Sequence, residues 1–262
     1  MSFADLAGAR FHYRFDGAEG AAVLVLSNSL GTNLSMWDAQ MPALAERFRV
    51  LRYDSRGHGR SAATPGPYTI EQLGYDALAL IDALALERVH FCGLSMGGMV
   101  GQWLGAHAPQ RLSQLVLCNT AARIGTPDVW NTRIEAVNKG GMAAIVDGVV
   151  ARWYTPAFIA ATPGAIAATR EMLLTTPAQG YIASCAAVRD MDQRHFTASI
   201  AVPTLVIAGT HDGVTPPEAA RFLAERIPGA SYVELDAAHL SNVEAEAAFT
   251  SALTQFLSPT AT

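Results

Sequence analysis

The chain has 262 residues, half of them hydrophobic and 16% charged, with a formal net charge of −5. This length and composition favour one α/β domain with an inserted segment and argue against disorder. The lack of a basic block argues against nucleic acid as a partner. No stretch has the apolar core of a signal peptide or the length of a membrane span, so we expect a cytoplasmic protein that does not contact a membrane.

The first part of the chain alternates between strand and helix patterns. A hairpin is predicted over 3–15, followed by buried strands over 22–28, 50–53, 89–94 and 115–119. Helices are predicted over 36–47, 69–84 and 96–107. This alternation is typical of a mostly parallel central sheet with helices on both faces.

The pattern changes between residues 121 and 196, where strand-like runs vanish and prolines interrupt helical segments. We interpret 121–196 as a helical cap inserted into a core made of 1–120 and 197–262. The core resumes with strands predicted over 202–208 and 231–235, and with helices that follow each of them, up to 226 and over 243–257.

Ser95 stands between Gly93 and Gly97 where a predicted strand meets a predicted helix, which spells the G-x-S-x-G of a nucleophile elbow. Such a sharp turn strains the serine backbone and requires small neighbours. The Met96 amide, at the start of the helix, is then directed at an oxyanion forming beside the serine. The alternative is a glycine-rich packing turn that carries an ordinary serine.

A serine nucleophile needs a base, and the base needs an orienting carboxylate. Asp212 and His239 each follow a predicted strand, as Ser95 does, and such loops meet at the carboxyl edge of a parallel sheet. The order Ser, Asp, His is also the order known for triads on sheets of this kind. An acid could instead follow the strand before, but Asn119 occupies that position.

A second oxyanion donor is expected from the loop after an early strand, and we assign it to the Leu30 amide. Hydrolases of this kind commonly carry His-Gly before the donor, whereas this chain has Asn28-Ser29. The substitution does not remove the backbone donor. Cys92, Cys118 and Cys185 show no metal spacing, so we expect reduced cysteines and no metal.

Taken together, these motifs resemble those of the α/β-hydrolases, and within them the 3-oxoadipate enol-lactonases of aromatic catabolism. The superfamily motifs are DSRGHGRS at 54–61, GLSMGG at 93–98, AGTHDGVTPP at 208–217 and the late His239. The subfamily features are NSLG at 28–31, RWYTP at 152–156 and VRDMD at 188–192. The resemblance implies cofactor-free hydrolysis of 3-oxoadipate enol-lactone, a small lactone that bears a carboxylate.

The substrate carboxylate needs a partner once water is excluded, because an unpaired buried charge is unfavourable. The residues that we expect to bind the substrate all lie in the predicted cap: Arg133, Arg152 and Arg189 as alternative carboxylate partners, with Trp153 and Tyr154 against the ring. Two other functions stay open. One is a carboxylesterase or cofactor-free perhydrolase of neutral esters, and the other is a ligand-binding receptor on a hydrolase fold. The sequence leaves the oligomeric state open.

Overall fold

A computed structural model of the chain describes residues 2–6 and 8–257. Within them eight strands form one sheet: β1 (Ser2–Leu6), β2 (Ala9–Asp16), β3 (Val23–Ser27), β4 (Arg49–Tyr53), β5 (Val89–Leu94), β6 (Leu112–Cys118), β7 (Thr204–Gly209) and β8 (Ser231–Leu235). The spatial order is β1-β2-β4-β3-β5-β6-β7-β8. The β1–β2 and β2–β4 pairs are antiparallel, and the other pairs are parallel. The predicted hairpin and mostly parallel sheet are confirmed.

The α-helices of the described residues are α1 (Met41–Leu44), α2 (Ile70–Ala83), α3 (Met96–His107), α4 (Pro127–Gly140), α5 (Val146–Trp153), α6 (Pro156–Ala161), α7 (Pro163–Thr175), α8 (Ala178–Asp190), α9 (Pro217–Arg226), α10 (Ser241–Glu244) and α11 (Glu246–Phe256). The helix predicted over 36–47 instead begins as a 3-10 helix, Leu34–Gln40. The last predicted helix is divided into α10 and α11, because Ala245 leaves the helical conformation with φ −115° and ψ 47°.

The central strands and their flanking helices follow from simple sequence patterns. All six residues of β5 are buried, as expected for a strand covered by helices on both faces. Helix α2 begins after Thr69, whose hydroxyl accepts a hydrogen bond from the amide of Gln72. Its buried residues recur at helical spacing on one face. Burial of this face holds α2 against the sheet, where it contacts α3.

Helices α4 to α8 lie between β6 and β7 in the chain, although these two strands pair directly in the sheet. The chain therefore leaves the sheet after β6, forms five helices and returns to the neighbouring position. This is the insertion that the sequence predicts. The division into a core of 1–120 and 197–262 and a cap of 121–196 stays a prediction, and its last residues, 258–262, lie outside the described part.

Three further features concern membrane crossing, metal binding and the cysteines. Among the described residues no helix combines the length and apolar character that a bilayer crossing requires. In the same part of the chain, no group of His, Cys, Asp and Glu side chains is arranged to hold a metal ion. The three cysteines are free and buried.

Candidate active site

Ser95 occupies a strained turn between β5 and α3. Its φ of +56° lies in a region that side chains other than glycine rarely adopt. Its amide donates a hydrogen bond to the carbonyl of Cys118 on the neighbouring strand (2.9 Å). The flanking glycines are required by close approach: a Cβ on Gly93 would lie 2.1 Å from the carbonyl oxygen of Gly97, and one on Gly97 would lie 2.2 Å from that of Ser27. The predicted strand-to-helix junction is therefore present.

The structure brings Ser95, His239 and Asp212 together at the carboxyl ends of β5, β8 and β7. His239 Nε2 lies 3.0 Å from Ser95 Oγ, and His239 Nδ1 lies 2.9 Å from Asp212 Oδ2. All three residues are buried, with His239 only 1% exposed. This arrangement, a hydroxyl bonded to an imidazole that is bonded to a carboxylate, can activate a serine for attack on an acyl carbon.

Asp212 is surrounded by hydrogen-bond donors. Its Oδ1 accepts from the amides of Val214 (2.8 Å) and Thr215 (2.9 Å), and its Oδ2 accepts from Thr215 Oγ1 (2.7 Å) and Asn119 Nδ2 (3.0 Å) as well as from His239. Burial by itself raises the pKa of this carboxyl, but the charge of His239 and these hydrogen bonds together lower the pKa to about 2. Asp212 is therefore ionised and oriented at neutral pH.

Asn119 donates a hydrogen bond to Asp212, a contact that was not predicted from the sequence. Besides its bond to Asp212, the Asn119 amide nitrogen donates to the carbonyl of Ala238 (3.1 Å), the residue before the histidine. Its oxygen accepts from Ser241 Oγ (2.6 Å), which fixes the orientation of the amide. The available signal was its place directly after β6, beside the loops that carry the serine and the acid.

Leu30 and Met96 both line a small cavity at Ser95, which we call the serine cavity and whose volume is about 20 Å³. Met96 is the first residue of α3, where an amide has no carbonyl partner within the helix. The two residues assigned as oxyanion donors are thus placed around the same small space as the serine hydroxyl.

Asn28 holds the loop that carries Leu30. Its side-chain nitrogen donates to the carbonyl of Tyr53 (2.7 Å), and its side-chain oxygen accepts from the indole of Trp37 (2.9 Å). Its carbonyl accepts from the amide of Gly97 in the elbow (3.0 Å). Asn28 therefore connects two strands and the nucleophile turn at the position where a histidine is common.

Two of the five predicted substrate-binding residues line the serine cavity, Arg133 and Trp153. The Trp153 ring lies 6.1 Å from the ring of His239, centre to centre. Arg133 lies over the ring of Trp130, which also lines the cavity, with 4.9 Å between the guanidinium carbon and the ring centre. Arg133 forms no ion pair with an acidic side chain of the described residues, so it can receive an external carboxylate.

The other three predicted residues do not reach the serine cavity. Arg152 and Tyr154 line a separate cleft of about 920 Å³, and the Tyr154 hydroxyl is bonded to Thr169 (2.7 Å). Arg189 is held at the surface by an ion pair with Asp190 (2.7 Å). Of the three arginines expected as alternative carboxylate partners, Arg133 is therefore the one that lines the serine cavity. Sequence position alone does not reveal this, because the direction of a side chain depends on how its helix packs.

Part of the cavity wall was not predicted from the sequence. The residues concerned are Ser29, Met99, Ile124, Val188 and Val214. Apart from Ser29 they are apolar, and an apolar residue near a site looks the same in the sequence as one in the core. Ser29 was noted only as a departure from the common His-Gly pattern.

A family model described as alpha/beta hydrolase fold matches residues 22–246. The chain belongs to the α/β-hydrolase family. It is 41% identical over 242 residues to 3-oxoadipate enol-lactonase 2 of Acinetobacter baylyi, covering 92% of this chain and 91% of that protein. It is also 41% identical over 237 residues to 3-oxoadipate enol-lactonase 1 of the same organism, covering 90% and 89%.

Solved structures show the same relationship. The crystal structure of the enol-lactonase from Burkholderia xenovorans has a TM-score of 0.96 and 48% identity, covering 97% of this chain and 99% of that one. A thermophilic esterase from Thermogutta terrifontis has a TM-score of 0.91 at 27% identity, covering 97% of both chains. The predicted resemblance to the enol-lactonases is confirmed.

Proposed function

We propose that this α/β-hydrolase opens 3-oxoadipate enol-lactone to 3-oxoadipate, as a step in the breakdown of aromatic compounds. The observation that carries the proposal is one small cavity bounded both by Ser95, bonded to His239, and by Arg133, which pairs with no acidic side chain in the part of the chain that the structure describes. A serine nucleophile and a cation on one cavity wall are the chemical groups that an ester bearing a carboxylate requires. The identity to two 3-oxoadipate enol-lactonases supports this substrate.

Ring opening begins when Ser95 Oγ attacks the lactone carbonyl carbon and His239 Nε2 takes the hydroxyl proton. Asp212 keeps the other proton on His239 Nδ1 and stabilises the imidazolium that forms. The developing oxyanion is stabilised by the amides of Leu30 and Met96. Removing one such donor lowers the rate by about 10²–10³-fold in comparable sites.

The tetrahedral intermediate collapses by breaking the bond between the acyl carbon and the ring oxygen. The ring oxygen leaves as an enolate, a better leaving group than an alkoxide, and receives the proton from His239. The leaving arm stays covalently attached, because it belongs to the same acyl chain now bonded to Ser95. Water activated by His239 then hydrolyses the acyl-enzyme, and ketonisation of the enol makes the sequence effectively irreversible. These steps require no cofactor.

Recognition of the substrate carboxylate falls to Arg133. The residue is half-buried at the cavity wall, and a cation–carboxylate hydrogen bond formed away from water is stronger than one between neutral groups. Trp153 packs against the lactone ring beside His239.

The test is turnover of freshly generated enol-lactone, followed by loss of its ultraviolet absorbance, beside hydrolysis of phenyl acetate. We expect fast lactone turnover that Ser95→Ala abolishes. Arg133→Met raises KM for the lactone by about 10- to 100-fold and leaves KM for the neutral ester nearly unchanged. Arg189→Met is the matched control, because Arg189 is paired at the surface, and it changes neither value.

Each contrary result points to a different alternative. Hydrolysis of the ester without turnover of the lactone would establish a general esterase. Absence of both activities in folded protein would favour a receptor on a hydrolase fold. Equal effects of both arginine variants on the lactone would refute the role of Arg133.

A further inference from the structure

Ser29 has one polar group that the folded protein leaves unused. It follows β3, is 1% exposed and lines the serine cavity with Ser95. Its amide donates to Met36 Sδ (3.3 Å), and its carbonyl accepts from the amide (3.2 Å) and hydroxyl (2.8 Å) of Thr32. Its own Oγ is buried and has no hydrogen-bond partner within the described part of the chain.

An unpaired buried hydroxyl destabilises a folded protein, because it has lost its bonds to water without replacement. A hydroxyl in this state at the wall of a catalytic cavity is explained when its partner arrives with the substrate. We propose that the Ser29 hydroxyl is a third hydrogen-bond donor to the oxyanion, beside the amides of Leu30 and Met96. The proposal rests on the proposed function only in requiring acyl transfer at Ser95.

The hydrogen bonds of the loop constrain the direction of the Leu30 amide. In a trans peptide the N–H and the C=O point in opposite directions. Since Thr32 holds the Ser29 carbonyl, the Leu30 amide of the same peptide points to the other side. The Ser29 side chain is attached next to this peptide, and Ser29 and Leu30 line the same cavity as Ser95.

This role predicts effects of opposite sign on stability and on catalysis. Ser29→Ala removes the unpaired hydroxyl from the free protein, so the variant unfolds at the same temperature as the wild type or higher. It also removes a donor to the charged intermediate, so kcat falls by about 10- to 100-fold. Because the bond forms with the oxyanion and only weakly with the uncharged carbonyl, KM changes by less than about threefold.

The chain offers a matched control in Ser184, on α8. Its hydroxyl is also fully buried without a partner in the described residues, but it does not line the serine cavity. Ser184→Ala therefore makes the same chemical change as Ser29→Ala and has the same effect on stability. It leaves kcat unchanged. Ser29→Cys, which keeps the shape of the side chain but offers a weaker donor, gives a kcat between those of wild type and Ser29→Ala.

The experiment measures kcat and KM of the full-length protein and three variants on enol-lactone and on phenyl acetate, with thermal unfolding of each. A loss of kcat on both substrates, confined to the Ser29 variants and without loss of stability, supports the proposal. A kcat for Ser29→Ala within threefold of wild type, or a loss accompanied by a lower unfolding temperature, overturns it. If wild type hydrolyses only phenyl acetate, the lactone assignment fails, and the ester still tests Ser29 because every ester forms this oxyanion.

Discussion

Replacing Asp212 by Asn tests the carboxylate on which the arrangement of the site depends. Every group that contacts its oxygens is a donor: the amides of Val214 and Thr215, the hydroxyl of Thr215, the Asn119 amide and the His239 imidazole. An asparagine amide offers one acceptor oxygen and one NH₂ group, so a donor faces a donor in either orientation.

The magnitude follows from the carboxyl pKa. Opposing the effect of burial, the charge of His239 and the hydrogen bonds lower the pKa of Asp212 from 3.8 to about 2. This difference corresponds to about 2.5 kcal/mol of folding free energy at neutral pH. Because the folded pKa lies below the unfolded one, this stabilisation is complete above the unfolded value and is lost as the pH falls toward 2. The Asp212→Asn variant should unfold about 5–10 °C below the wild type at neutral pH.

Urea unfolding of both proteins between about pH 6 and about pH 3 measures this contribution. The difference in free energy of unfolding between wild type and Asp212→Asn should narrow by about 1 kcal/mol as the pH falls over that range. The kcat of the variant should fall by a factor on the order of 10⁴, because the imidazole loses its orienting partner and its required tautomer. A kcat within tenfold of wild type, or a stability difference that does not depend on pH, would refute the reasoning.

Three further predictions concern the turn and the loops around it. Ser95→Gly should be more stable than Ser95→Ala by about 1 kcal/mol in urea unfolding, since both lack the hydroxyl but only glycine relieves the positive φ. Gly97→Ala should lower the unfolding temperature by at least about 5 °C, because its Cβ would lie 2.2 Å from the carbonyl of Ser27. Glu244 accepts from the amide of Ala238 with one oxygen and from the inserted helical segment with the other. The glutamine of Glu244→Gln has one acceptor oxygen in place of two. The free energy of unfolding of the variant, measured in urea, should therefore be about 1–3 kcal/mol lower than that of the wild type.

The elbow could be predicted because its determinants are adjacent in the chain. Gly93, Ser95 and Gly97 satisfy a steric requirement of one turn, and the strand and helix patterns on either side are local as well. The loops of Asp212 and His239 could be assigned to the same edge because parallel strands end there. The individual contacts could not be predicted: the position of Asn119 after β6 places it near the site, but does not indicate that its amide bonds to an acid 93 positions later.

The inserted helices show most clearly which features could not be predicted from the sequence. Arg133, Arg152 and Arg189 are equivalent as sequence features, since each is a cation in a helical segment. Of these three, packing of the inserted helices places Arg133 at the serine cavity and holds Arg189 in an ion pair at the surface.

The sequence by itself therefore determined the family, the order of strands and helices and the turn that carries the serine, because these depend on short-range sterics and on periodic burial. Tertiary structure alone decided which of the three arginines lines the serine cavity and that the Ser29 hydroxyl has no hydrogen-bond partner among the described residues. Both depend on contacts between segments far apart in the chain, whose side-chain directions are set only when the helices pack.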